Sequence, residues 1–80
     1  MNIRKEIVAI INKNMRLELN ENDNLKLADM GINSLMFIQM VIVIEEVFHF
    51  NFSDNNLNIK NFIDINSICN YVENNLKNKS

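Results

Sequence analysis

Proline is absent from this 80-residue chain, and glycine occurs once, at Gly31. Sandwiches and barrels of short strands need many tight turns, and tight turns draw on Gly and Pro. A chain so poor in both suits helices joined by polar loops. Apolar residues make up 48% of it and recur at regular spacing, which supports one modest core and argues against disorder. A single domain over residues 1–80 is expected, without internal repeat or linker.

Periodicity places the elements. Ile3, Ile7, Ile10, Ile11 and Met15 fall at helical spacing behind a candidate cap, Asn2, and predict a helix over 2–15. Residues 16–33 lose the pattern. Leu17, Leu19, Leu25 and Leu27 are scattered among Asn20, Glu21, Asn22, Asp23 and Asn24, which predicts a long loop pinned to the core by its leucines. The Asn20-x-Asn22-x-Asn24 run is similar to the start of a calcium loop. Leu25 stands where such a loop needs Gly, and Gly31 where it needs a bidentate Glu, so calcium is excluded. A second helix is predicted from 34 to 48 or 49, apolar on nearly all sides, with Gln39, Glu45 and Glu46 as its polar residues. A helix of that kind is either central or serves a partner. Residues 50–58 read as loop anchored by Phe52 and Leu57, and 59–63 as one short helical turn. Asp64 then caps a last helix over 65–77, with Ile65, Ile68, Val72 and Leu76 on one stripe. The fold class is therefore all-α. The expected core is Ile7, Ile10, Ile11, Leu25, Phe37, Met40, Val41, Ile44, Phe48, Phe62, Ile65, Ile68 and Val72.

Several functions are disfavoured. Net charge is −2 and no basic cluster exists, so nucleic acid is a poor partner. Cys69 is the only cysteine, which excludes an intramolecular disulfide and a Cys-based zinc site. The start of the chain has no apolar signal core, and a cytoplasmic location is expected. The apolar run 35–44 is far shorter than the roughly 20 residues of a membrane span. Asn and Ile together exceed a third of the chain, a bias that AT-rich codons explain, so the Asn-x-Ser matches at Asn51 and Asn78 carry no glycosylation signal. Ser34 and His49 form the one tempting Ser–His pair. On one helix they stand roughly 22 Å apart, whereas a nucleophile and its base must touch. Cys69 reads as a small core or boundary residue. His49 reads as a helix C-terminal residue in a favourable dipole.

Ser34 opens the second helix just after Gly31. Free N–H groups and the helix dipole suit a phosphate ester there, although position alone favours a plainer role as a cap. The surrounding pattern shifts the balance. Gly31-Ile32-Asn33-Ser34-Leu35 resembles the Gly-x-Asp-Ser-Leu attachment motif of acyl carrier proteins and peptidyl carrier domains. Asp23-Asn24-Leu25 precedes it at the family's distance. Glu45-Glu46-Val47-Phe48 resembles the Glu-Glu-x-Phe that closes the family's second helix. Phe52-Ser53-Asp54 is similar to its Ile/Phe-Pro-Asp turn, and Phe62-Ile63-Asp64-Ile65 to its Phe-x-Thr-Val lead into the last helix. The attachment motif alone is weak; the set of spacings over nearly the whole chain is strong.

The resemblance implies a four-helix acyl-carrier-like bundle: three longer helices, one short helix, and a long loop between helices 1 and 2. It implies a 4′-phosphopantetheine arm on Ser34, with Gly31, Asn33 and Leu35 as motif neighbours. The arm's thiol would hold acyl or aminoacyl cargo as a thioester for partner enzymes, and the chain itself would catalyse nothing. The implied partners are a phosphopantetheinyl transferase, a loading enzyme for the acyl or aminoacyl group, and synthase or condensing enzymes. The implied pathways are polyketide, nonribosomal-peptide or fatty-acid-type biosynthesis. A free-standing monomer is expected, because Met1 lies just before the first helix and the chain ends soon after the last. Two departures stand out. Asn33 replaces the usual Asp, which keeps a cap but removes a charge. Met36 and Gln39 occupy positions where fatty-acid carriers show acids. A docking face of Met36, Ile38, Gln39 and Ile42, with Glu45 and Glu46 at its rim, is expected to be mainly apolar. The competing expectation is a small helical interaction module with no prosthetic group and no use for Ser34.

Overall fold

The computed structural model describes residues 2–52 and 58–77. It contains three α-helices: α1 (Ile3–Met15), α2 (Ser34–Phe48) and α3 (Ile65–Lys77). Two short 3-10 turns, Ala28–Met30 and Ile59–Asn61, lie in the connections. The β structure among the described residues is an isolated antiparallel bridge between Lys26 and Asp64. None of the described helices is long and apolar enough to cross a membrane.

Each helix starts on a side-chain cap. Asn2 Oδ1 accepts the Lys5 N–H at 3.0 Å, Asn33 Oδ1 the Met36 N–H at 2.9 Å, and Asp64 Oδ1 the Ser67 N–H at 2.9 Å. Such caps satisfy one of the four orphan N–H groups of a first turn. The ends of α1 and α2 show the consequence of having a single glycine. Arg16 (φ 55°) and His49 (φ 57°) adopt the left-handed conformation that Gly usually fills, and their N–H groups return to the carbonyls of Asn12 and Glu45. His49 thus ends the second helix as its C-cap.

α1 packs against both α2 and α3. Every residue expected in the core is buried except Leu25, which is 42% exposed. There the backbone is used instead: the Leu25 carbonyl accepts the Ile65 N–H at 3.3 Å, and Leu27, two residues on, fills the core at 1% exposure. Val8, Ile32, Phe50, Phe52 and Cys69 are also buried. The short helix expected over 59–63 is the three-residue turn Ile59–Asn61, begun by Asn58, whose side chain accepts the Lys60 N–H at 2.9 Å. Phe62 then leaves it in an extended conformation.

An aromatic cluster joins α2, α3 and the connection between them. Phe37 of α2 meets Phe62 at 5.4 Å between ring centroids, and Tyr71 of α3 meets Phe52 at 4.7 Å and Phe62 at 5.4 Å. Aromatic pairs at these separations add to plain area burial. Glu45 Oε2 also accepts the Phe52 N–H at 2.7 Å, tying the loop after α2 back to the helix. Ser53, Asp54 and the proposed anchor Leu57 lie outside the described residues.

Arg4 makes a second set of ties. Its guanidinium donates to the Glu21 carbonyl at 2.8 Å, the Asp23 carbonyl at 2.8 Å and the Asn66 side-chain oxygen. One side chain of α1 thereby fastens both the long loop and the first turn of α3.

Candidate functional site

The segment before α2 is built to stop one helix turn and start another. Leu27 is buried, its N–H donates to the Ile63 carbonyl at 2.9 Å, and its carbonyl accepts the Ile32 N–H at 3.1 Å. Gly31 closes the Ala28–Met30 turn at φ 76°, donating to the Ala28 carbonyl. No atom lies within 4 Å of where a Cβ would stand, so the left-handed backbone, not crowding, is what calls for glycine. Ile32, 5% exposed, then plugs the core directly before the cap residue Asn33.

Ser34 is the first residue of α2 and is exposed. It is not the cap; Asn33 is. The Met36 N–H goes to Asn33 Oδ1 and the Phe37 N–H to the Asn33 carbonyl, both at 2.9 Å. The N–H groups of Ser34 and Leu35 have no partner among the described residues, and no acid stands in the first turn. An exposed hydroxyl beside free N–H donors at a positive helix end is chemically suited to a phosphate ester. The donor set therefore fits a phosphodiester-linked group at this position.

The outer face of α2 is apolar. Leu35 is 68% exposed and Ile42 50%, with Ile38 and Gln39 also exposed. At about 100° per residue, Leu35, Ile38 and Ile42 share the face opposite Phe37, Met40, Val41, Ile44 and Phe48. Leu27 and Ile32 turn inward and do not cover it. Met36, expected to be exposed, is half-buried and packs against the core. Glu46 is exposed, whereas Glu45 is half-buried and engaged by Phe52. His49 lies at the far end of α2 from Ser34. Cys69 is buried in α3, where burial pushes its thiol up from the usual range despite nearby Arg4.

Sequence reasoning missed how much of the site rests on residues outside the motif. Asn24 Oδ1 accepts the Asn66 N–H at 2.9 Å, so the Asp23-Asn24-Leu25 segment completes the start of α3. Asp64 shares that task, and the Ser67 N–H and hydroxyl hold its carboxyl below the usual value. The signal was present as a run of Asn and Asp, but such runs look alike whether solvated or capping. A cleft of about 770 Å³, lined among the described residues by Asn2, Ile3, Glu73, Leu76 and Lys77, lies between the ends of α1 and α3 and adds nothing to the site.

The family comparison agrees with this geometry. A family model described as the phosphopantetheine attachment site matches residues 5–72, from the first turn of α1 well into α3. No curated protein and no solved structure matches the chain significantly. With most of its length covered, the chain belongs to the phosphopantetheine-attachment family of carrier domains, the site of covalent 4′-phosphopantetheine attachment.

Proposed function

We propose that Ser34 is the attachment residue and that residues 1–80 form one carrier domain for acyl or peptidyl intermediates. The observation that carries this is the exposed Ser34 hydroxyl at the start of α2, beside N–H groups that no other described residue uses. Asn33 does the capping, so Ser34 is left free for modification. The Ser34 hydroxyl would accept the phosphopantetheinyl group from coenzyme A on a transferase. When bound, the group supplies a thiol that holds cargo as a thioester, activated for acyl transfer. The chain's residues hold the attachment point and present a face to partners; a tether raises the cargo's effective concentration at each partner site.

The face presented is Leu35, Ile38 and Ile42, with Gln39 and Glu46 beside them. Its lack of early acids favours partners that meet α2 through apolar contact, as for peptidyl-type carriers, over the charged docking of fatty-acid-type systems. Met36 contributes its exposed edge, and Glu45 mainly braces the loop. The partners are the transferase, a loading enzyme for acyl or aminoacyl groups, and condensing or synthase enzymes. The protein works as a monomer in the cytoplasm, where a free, buried Cys69 is stable.

The test is intact mass after incubation with coenzyme A and a promiscuous transferase. Wild type should gain one phosphopantetheinyl group and Ser34→Ala none, with helical content unchanged because the cap remains. Loading of the Ala variant would refute the assignment.

A further inference from the structure

The chain is short of charge around the start of α2. Between Lys26 and Glu45 the only charged residue is Asp29, which belongs to the Ala28–Met30 turn. In the segment that carries Ser34, the groups left over are hydrogen-bond donors. The N–H groups of Ser34 and Leu35 have no partner among the described residues. Asn33 Oδ1 accepts the Met36 N–H at 2.9 Å and the Asn33 carbonyl accepts the Phe37 N–H at 2.9 Å, whereas Asn33 Nδ2 donates to no described residue. Asn33 is exposed, as Ser34 is. A carboxylate in its place would cap about as well and would set a negative charge beside the serine. With the neutral amide, the positive end of α2 keeps its field uncompensated, since no acid stands in the first turn.

We infer that the uncharged cap Asn33 adapts the start of α2 to hold the phosphodiester at the root of the arm, so that loading tightens the first turn of the helix. The inference rests on attachment at Ser34 proposed above and gives the residue before it a role there. The free N–H groups of Ser34 and Leu35 and the amide of Asn33 are the donors available to that anion. A negative charge within the first turn is stabilised by the helix dipole and by orphan N–H groups together. An aspartate at the cap would already occupy that field, and two like charges so close repel. The neutral cap leaves the whole interaction to the arm. Loaded and unloaded chains then differ in order where Leu35, 68% exposed, begins the face that partners meet.

The experiment melts the apo protein and the protein loaded with the bare arm side by side, under a reducing agent so that the arm's thiol forms no disulfide. Intact mass of wild type and Ser34→Ala is read first. Absence of the mass gain, or its persistence in Ser34→Ala, refutes attachment at Ser34 and this role of Asn33 with it. Loaded wild type should melt about 2–8 °C above apo, the span that one anion at a helix N-terminus gives a domain of this size. In hydrogen exchange, the Ser34 and Leu35 amides should be slowed several-fold by loading. Asn33→Asp should keep the cap and the fold yet lose about half of the rise or more, whereas Asn33→Ser, an uncharged cap, should keep it. A rise below about 2 °C in wild type would overturn the inference while leaving attachment at Ser34 intact. So would an equal rise in Asn33→Asp, or a loss in Asn33→Ser as large as in Asn33→Asp, which would make Asn33 a structural cap alone.

Discussion

Arg4→Lys is the substitution that most directly tests how the loop before the attachment helix is held. Arg4 uses three nitrogens at once, on the carbonyls of Glu21 and Asp23 and on the Asn66 side chain, and its guanidinium also contacts Cys69 Sγ at 3.9 Å. The bond to Asp23 is partly buried, and a hydrogen bond to a charged group in that setting contributes about 1.5–3 kcal/mol. The bonds to Glu21 and Asn66 are exposed, where water competes, and each is worth less than about 1 kcal/mol. Lysine keeps the charge but offers one nitrogen in place of the planar fork, so it can replace one of these bonds and not all. The expected loss is about 1.5–3 kcal/mol, against a total of about 4–12 kcal/mol for a domain this size. For a chain of this length 1 kcal/mol moves Tm by about 4–8 °C, so Tm should fall by roughly 6–24 °C. Circular dichroism melts give the shift, and urea titrations with an unchanged m value would show that stability alone has altered. A Tm within about 2 °C of wild type would refute the clamp.

Other expectations follow from the same contacts. Leu27→Ala should cost about 2–5 kcal/mol in urea denaturation, while the exposed Leu25 replaced by Asn should stay within about 0.5 kcal/mol of wild type. Asp64 binds its proton more weakly in the folded chain than its ordinary value of 3.8 implies, so the unfolded chain takes up protons first as pH falls. The stability its cap contributes is complete above that value and is lost as pH drops through the lowered folded value; Asp64→Asn, which still caps, should flatten this acid limb of the urea midpoint. In titrations of a partner enzyme, Ile42→Asp should weaken binding more than Glu46→Gln does, with little dependence on salt. Strong salt dependence with the reverse order would restore charged docking.

Much of the fold was legible because helices announce themselves. The periods of Ile7, Ile10 and Ile11, of Phe37, Met40, Val41 and Ile44, and of Ile65, Ile68 and Val72 each name a buried face, and Asn2 and Asp64 cap as their positions suggest. The candidate site was legible as a motif, since Gly31 and Asn33 serve local backbone needs that sequence spacing reveals. What failed was long-range. Leu25 and Leu27 are chemically alike, and nothing local says that pairing of 25–27 with 63–65 turns one outward and the other inward. Glu45 reads as a surface acid until the chain returns Phe52 to it. Arg4 is an ordinary helical cation until three distant acceptors converge on it.

These long-range contacts have a common effect on Ser34. The serine's hydroxyl bonds no described residue, so its own side chain cannot fix its place. Its position is inherited. Asn24 caps α3 from the same loop whose far end, Asn33, caps α2. Between them, the Leu27 N–H reaches the Ile63 carbonyl just before α3, and the Leu27 carbonyl holds the Ile32 N–H just before α2. Leu27 therefore links the starts of the two helices through its backbone while its side chain sits in the core. An attachment point organised in this way can be both free to react and fixed relative to the starts of α2 and α3. Disturbing Leu27 should impair loading at a residue it never touches, whereas replacing Ser34 should leave every one of these contacts in place.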